Sequence, residues 1–201
     1  MRPQAALTWI KAMACLHAVM CLGRMPNISG NMMNLSGLQR SPLDLIEHEH
    51  AQNMRLCDLL EQIADGLPGD VDRRRCREAA SALRYQLPLN HQDEEKGLFP
   101  LLRARAGASQ NLDAILSRLA SEHAADESFA GELTEELDHL AATGEARNPE
   151  VLGYMLRGFF ESYRRHIQWE DTILLPLARQ ILTDEELKQL SAAMASHRIQ
   201  A

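Results

Sequence analysis

Aromatic residues make up only 4% of this 201-residue chain. Ala, Leu, Glu, Arg and Met are plentiful instead, which argues against a sheet-rich fold and for an all-α one. Basic charge is also short. The net charge of −7 leaves no basic face for a phosphate backbone, so nucleic-acid binding through bulk electrostatics is not expected. The apolar run Ala12–Leu22 is too short to span a bilayer and carries His17, and no membrane partner is expected. Four cysteines, Cys15, Cys21, Cys57 and Cys76, show no CxxC spacing, which argues against a zinc ribbon or a thioredoxin-like pair and for buried reduced thiols. No GxGxxG or P-loop motif is present, so no nucleotide cofactor is indicated.

What the chain does have is one device used twice. His166-Ile-Gln-Trp-Glu170 runs on through apolar residues to Pro176, and His91-Gln-Asp-Glu94-Glu95 runs on to Pro100. A histidine three or four residues before a glutamate shares its helix face, so the two side chains can grip one ion. Each glutamate, Glu94 and Glu170, stands six residues ahead of its proline.

With 45% hydrophobic and 24% charged residues, the chain is compositionally an ordinary soluble domain. Residues 1–40 differ in character and read as a poorly ordered extension. The positive start and short apolar centre are weakly signal-like, but no convincing cleavage site follows, and a cytoplasmic location is expected. Residues 41–201 read as the metal-binding domain.

Ser41-Pro42-Leu-Asp44 starts a helix that Gly66-Leu-Pro-Gly69 ends. A second helix is expected over 71–105, bent by Pro88, and a third over 110–142, capped by Ser109 and closed by Gly144. Asn148-Pro149 starts a fourth, to about Leu182. Thr183-Asp-Glu-Glu186 has the form of a capping box and launches a short fifth helix, read as a trailing accessory. Long helices joined by short glycine-bearing loops imply an up-down-up-down antiparallel four-helix bundle.

Within that bundle one histidine per helix falls on the inward stripe: His50 rather than His48, then His91, His123 rather than His139, and His166. Counting residues from each loop places the four at one height. Three are followed by an acid one turn later, and unpaired carboxylates in such a core would cost several kcal/mol each. A metal removes that cost. Imidazoles and carboxylates without thiolate suit iron, manganese or zinc, and carboxylates able to bridge describe a two-ion centre.

The His50 helix, HQDEEKGLFP, the segment SEHAADE around His123 and HIQWEDTILLP together resemble the hemerythrin-like, HHE cation-binding family, over roughly residues 41–197. The resemblance implies a four-helix bundle with two iron ions joined through an oxo or hydroxo bridge. It makes His50, His91, His123 and His166 terminal ligands and Glu170 a bridge, with Glu94 or Glu95 as the bridging partner and Glu127 a further ligand candidate. One departure stands out: counting back from the prolines, the residue matching His166 is Asn90, with His91 displaced by one.

Three functions fit these residues. The first is a protein that binds or senses dioxygen, nitric oxide or redox state. The second is a two-iron enzyme consuming peroxide or oxygen, or an iron donor in cluster repair. The third is an interaction module that metal stabilises. Tyr163 lies near the ligands by helical spacing and reads as a core residue.

Overall fold

The computed structural model describes residues 41–106 and 110–200, all within one compact unit that spans 39–201. The extension read in residues 1–40, with Cys15 and Cys21, and the expected cap at Ser109 lie outside the described residues. Among the described residues there is no strand, and no helix is long and apolar enough to cross a membrane.

The helices are α1 (Pro42–Gly66), α2 (Arg73–Ser81), α3 (Leu87–Asp93), α4 (Phe99–Ala106), α5 (Gln110–Thr143), α6 (Pro149–Trp169), α7 (Leu175–Ile181) and α8 (Asp184–Gln200). Helices α2, α3 and α4 form one rod, joined by single π-helical turns at Ala82–Gln86 and Glu94–Leu98. A third π turn, Glu170–Leu174, joins α6 to α7. Four long rods result, with α8 as a fifth.

The start and stop signals act locally. Asn148 Oδ1 accepts the Val151 N–H at 3.1 Å ahead of Pro149, and Asp72 caps α2 by accepting from Arg74 and Arg75 at 2.9 and 3.1 Å. Gly144 closes α5 at φ +85°, its N–H on the Leu140 carbonyl at 2.8 Å. The capping box forms, with Glu186 accepting from the Thr183 N–H at 2.8 Å. Ser41 caps only through its carbonyl, which takes the Leu45 N–H at 3.0 Å; its side chain makes no cap bond.

The prolines within the rods do not end them. Each π turn stops two residues before a proline: Gln86 before Pro88, Leu98 before Pro100, Leu174 before Pro176. Proline lacks an N–H and its ring crowds the carbonyl four residues back. Widening the preceding turn moves that carbonyl aside, so the rod continues to Ala106 and to Ile181.

Two apolar clusters fill the bundle. One gathers Leu56, Leu60, Leu83, Leu133, Leu137, Leu156 and Phe159; the other Leu43, Ile46, Leu98, Phe99, Leu116, Leu174 and Leu190. Between them along every rod lie buried polar residues: His50 and Asn53, Asn90, His91, Asp93 and Glu94, His123, His166 and Glu170. Each fully buried Leu or Phe contributes about 1.5–3 kcal/mol, so the polar layer is held from both sides. On the surface, Arg157, Arg164 and Arg179 reach Asp65, Asp58 and Glu47 of α1 at 2.7, 2.6 and 2.6 Å, aligning the first rod with the fourth.

Helix α8 is part of the packing, which corrects its reading as an accessory. Leu190 and Met194 are buried in the second cluster, and His197 is buried against Asp93. Cys57 and Cys76 are free, buried thiols; burial pushes Cys57 up to about 12.

Candidate metal centre

The polar layer is built from the four rods at one depth. Glu94 and Glu170 each open a π turn, their carbonyls accepting the N–H of Phe99 and Leu175 five residues on. Such a turn advances the following backbone by an extra residue while leaving the glutamate on the inner face, and π turns recur at functional sites for this reason. Both carboxylates are 1% exposed.

His50 Nε2 lies 2.8 Å from Glu94 Oε1 and 3.5 Å from Glu170 Oε2. His166 Nε2 lies 3.3 Å from Glu170 Oε1, and His123 Nε2 lies 3.4 Å from Glu94 Oε2 and 3.6 Å from Glu170 Oε1. Two groups of ligand-type atoms converge within 4.8 Å: His123, His166 and Glu170, and His50, Glu94 and Glu170. Glu170 belongs to both. His91 is buried and stacked flat on His123, with ring centres 4.0 Å apart.

Every imidazole turns its other nitrogen to a carboxylate. His50 Nδ1 meets Asp171 at 2.6 Å, His91 meets Glu127 at 3.0 Å, His123 meets Glu95 at 2.9 Å and His166 meets Glu122 at 3.3 Å. A carboxylate on Nδ1 keeps the proton there and leaves the Nε2 lone pair facing inward. Of the acids expected at the site, Glu94 and Glu170 therefore stand inside the imidazoles, and Glu95 and Glu127 stand outside them. Asp171 and Glu122 were not singled out in the sequence. The signal for them is adjacency, since each is the neighbour of an inward residue, Glu170 or His123.

Electrostatics favour positive charge at the centre. Burial acts to lower the His50 pKa, but its bonds to Asp171 and Glu94 outweigh it and hold His50 up at about 10. His166 is raised to about 11 against its own burial, chiefly by the Glu170 charge. Burial pushes Glu170 up, yet His166 and His123 bring it well below the ordinary carboxylate range. His91, in contrast, is lowered by burial.

A cation fits this set. His91 Nε2, Glu94 Oε2 and Glu170 Oε1 are buried without a hydrogen-bond partner. The Nε2 atoms of His123 and His166 face each other at 3.1 Å, so with the protons on Nδ1 two lone pairs point at one another unless a proton or cation lies between. Nitrogen and carboxylate donors without thiolate suit iron, manganese or zinc.

A second polar group adjoins the layer. Asn53 Nδ2 donates to Asn90 Oδ1 and to the Tyr163 hydroxyl, both at 3.0 Å; Gln86 donates to Asn53 at 2.8 Å, and Asn90 donates to Glu94 Oε1 at 3.3 Å. Behind Glu94, Asp93 holds His197 at 2.7 Å and Arg198 at 2.9 Å, and Arg198 also pairs with Glu49 of α1.

A helical bundle whose rods deliver buried imidazoles and carboxylates to one layer is a cation-binding domain. This chain belongs to the hemerythrin HHE cation-binding domain family, whose pattern matches residues 41–178. The match ends before α8, so the helix that grips Asp93 lies beyond the shared domain. No curated protein matches the chain.

Proposed function

We propose that the chain is a non-haem two-iron protein that binds or senses dioxygen or nitric oxide. His50, Glu94, His123, His166 and Glu170 hold the ions, with Glu170 shared between them. His91, Glu95 and Glu127 complete the surrounding layer, the two acids orienting His123 and His91 in the manner of Asp171 and Glu122. Iron at these positions supplies one-electron redox chemistry and open coordination for a diatomic ligand. The observation that carries the reading is the meeting of inward Nε2 atoms and partnerless carboxylate oxygens in one buried layer.

The residues around that layer bind and shield. The apolar clusters on both sides exclude water, which favours retention of a small ligand over its displacement by water. The carboxylates that reach the histidines from outside already face Nδ1 protons. An antiparallel up-down-up-down course belongs to the same reading: α1 and α5 pass from the Leu43 cluster to the Leu60 cluster, while the second and fourth rods pass the other way.

Anaerobic reduction followed by stopped-flow mixing with air or nitric oxide tests the proposal. A persistent, reversible absorption change at one ligand per centre is expected. Repeated consumption of oxygen or peroxide with external reductant favours the enzyme reading instead.

A further inference from the structure

The two halves of the repeated motif are not equal once superposed through their π turns. Glu94 and Glu170 hold the same place, each opening a π turn that ends two residues before a proline. One helical turn ahead of Glu170 stands His166, its Nε2 at 3.3 Å from the glutamate. One turn ahead of Glu94 stands Asn90, whose amide donates to Glu94 Oε1 at the same 3.3 Å. Asn90 therefore occupies the place of an imidazole.

Asn90 is not free to coordinate in its stead. Its oxygen is taken by Asn53, which Gln86 holds in turn, so an N–H is what it presents to Glu94. His91 does not fill the gap: its ring is stacked flat on His123, and it belongs to neither group of converging ligand atoms. The group on one side thus has two imidazoles and a carboxylate, His123, His166 and Glu170; the group on the other has one imidazole and two carboxylates, His50, Glu94 and Glu170.

We infer that Asn90 makes the centre a two-affinity site. The His123 side retains iron tightly, and the His50 side holds an exchangeable divalent cation and accepts manganese beside iron. The inference rests on the two-ion reading above. Imidazole favours later first-row metals over manganese, and carboxylate oxygens discriminate less, so the oxygen-rich side is both the weaker and the less selective one.

The test uses the full chain, stripped of metal and titrated without oxygen, first with ferrous iron and then with an equal mixture of ferrous iron and manganese. Two binding steps with dissociation constants separated on the order of tenfold or more are expected. Anomalous diffraction at the iron and manganese edges should place manganese at the His50 side alone. Asn90→His should merge the steps and fill both positions with iron. Asn90→Asp, which changes size least and adds a carboxylate, should raise manganese uptake at the same position and covers the case in which the histidine variant does not fold.

Equal affinities in the wild type overturn the inference, and so does a split that neither Asn90 variant alters. If His91 swings in to complete the weak side, the wild type binds equally and His91→Ala creates the split, which also overturns it. Saturation at a single ion contradicts the two-ion reading itself, and that outcome is distinguishable from two equal ions.

Discussion

His123 and His166 face each other through Nε2 at 3.1 Å while each presents Nδ1 to an acid, Glu95 in one case and Glu122 in the other. The outer acids thus decide which nitrogen is available inside. Glu95→Gln or Glu122→Gln leaves the packing in place and weakens that orientation, and a loss of about 10- to 100-fold in metal affinity is expected. Competition against a chelator of known affinity measures it. Unchanged affinity in both variants would remove the orienting role.

Protons and metal compete for the same nitrogens, and this gives the pH dependence two opposite signs. His50 and His166 rise in the folded chain from an ordinary 6.5 to about 10 and about 11. A raised folded pKa stabilises the metal-free fold fully below about pH 6.5, and that contribution is lost as pH climbs toward 10. A cation must displace those protons, so metal affinity climbs with pH. Melts of the metal-free protein should fall from about pH 6 to about pH 9, while the gain on adding metal grows. Parallel curves for the two forms would contradict this.

Helix α8 should matter to stability out of proportion to its place at the end of the fold. Leu190 is fully buried, and its Cδ1 lies 2.8 Å from where a Cβ on Gly97 would stand, so the helix sits directly on the Glu94 π turn. Leu190→Ala should cost about 2–5 kcal/mol, and Gly97→Ala should strain the same contact. Arg198→Ala removes a partly buried cation facing Asp93 and Glu49, leaves Asp93 its His197 partner, and should cost about 1.5–3 kcal/mol. Urea unfolding reads these changes; a loss under about 0.5 kcal/mol would mean that the helix is only loosely docked.

Pro100 and Pro176 should act on the centre through the backbone. Replacing either by alanine restores an N–H and allows the preceding turn to tighten, which rotates Glu94 or Glu170 relative to its histidine. Circular dichroism should show helix content retained while metal affinity falls. Retained affinity would show that the π turns do not depend on the prolines.

Much of the bundle could be read from local signals. Pro42 and Asp44, Asn148-Pro149 and the Thr183–Glu186 box mark helix starts by residue types that satisfy exposed N–H groups, and the structure uses the last two through their side chains. Helical period separates buried His50 from exposed His48. The π turns were not legible, because a stripe drawn at 3.6 residues per turn assumes the widening does not occur, and a mid-rod proline reads as a bend, with nothing to mark a widened turn before it. Nor was the Asp93–His197 pair, whose members lie 104 residues apart with no local pattern joining them. Asp171 and Glu122, the outer acids not singled out, sit next to Glu170 and His123 in sequence, about 100° round the helix, where a solvated carboxylate is the ordinary expectation.

In the function proposed here, imidazoles and carboxylates of four rods share a pair of iron ions. Elemental analysis with Mössbauer spectroscopy on full-length protein from iron-replete cells tests it most directly. Two irons per chain are expected, with the spectrum of a coupled pair, falling to one or none in His166→Ala. An iron-free wild type, or two irons retained in His166→Ala, would contradict it.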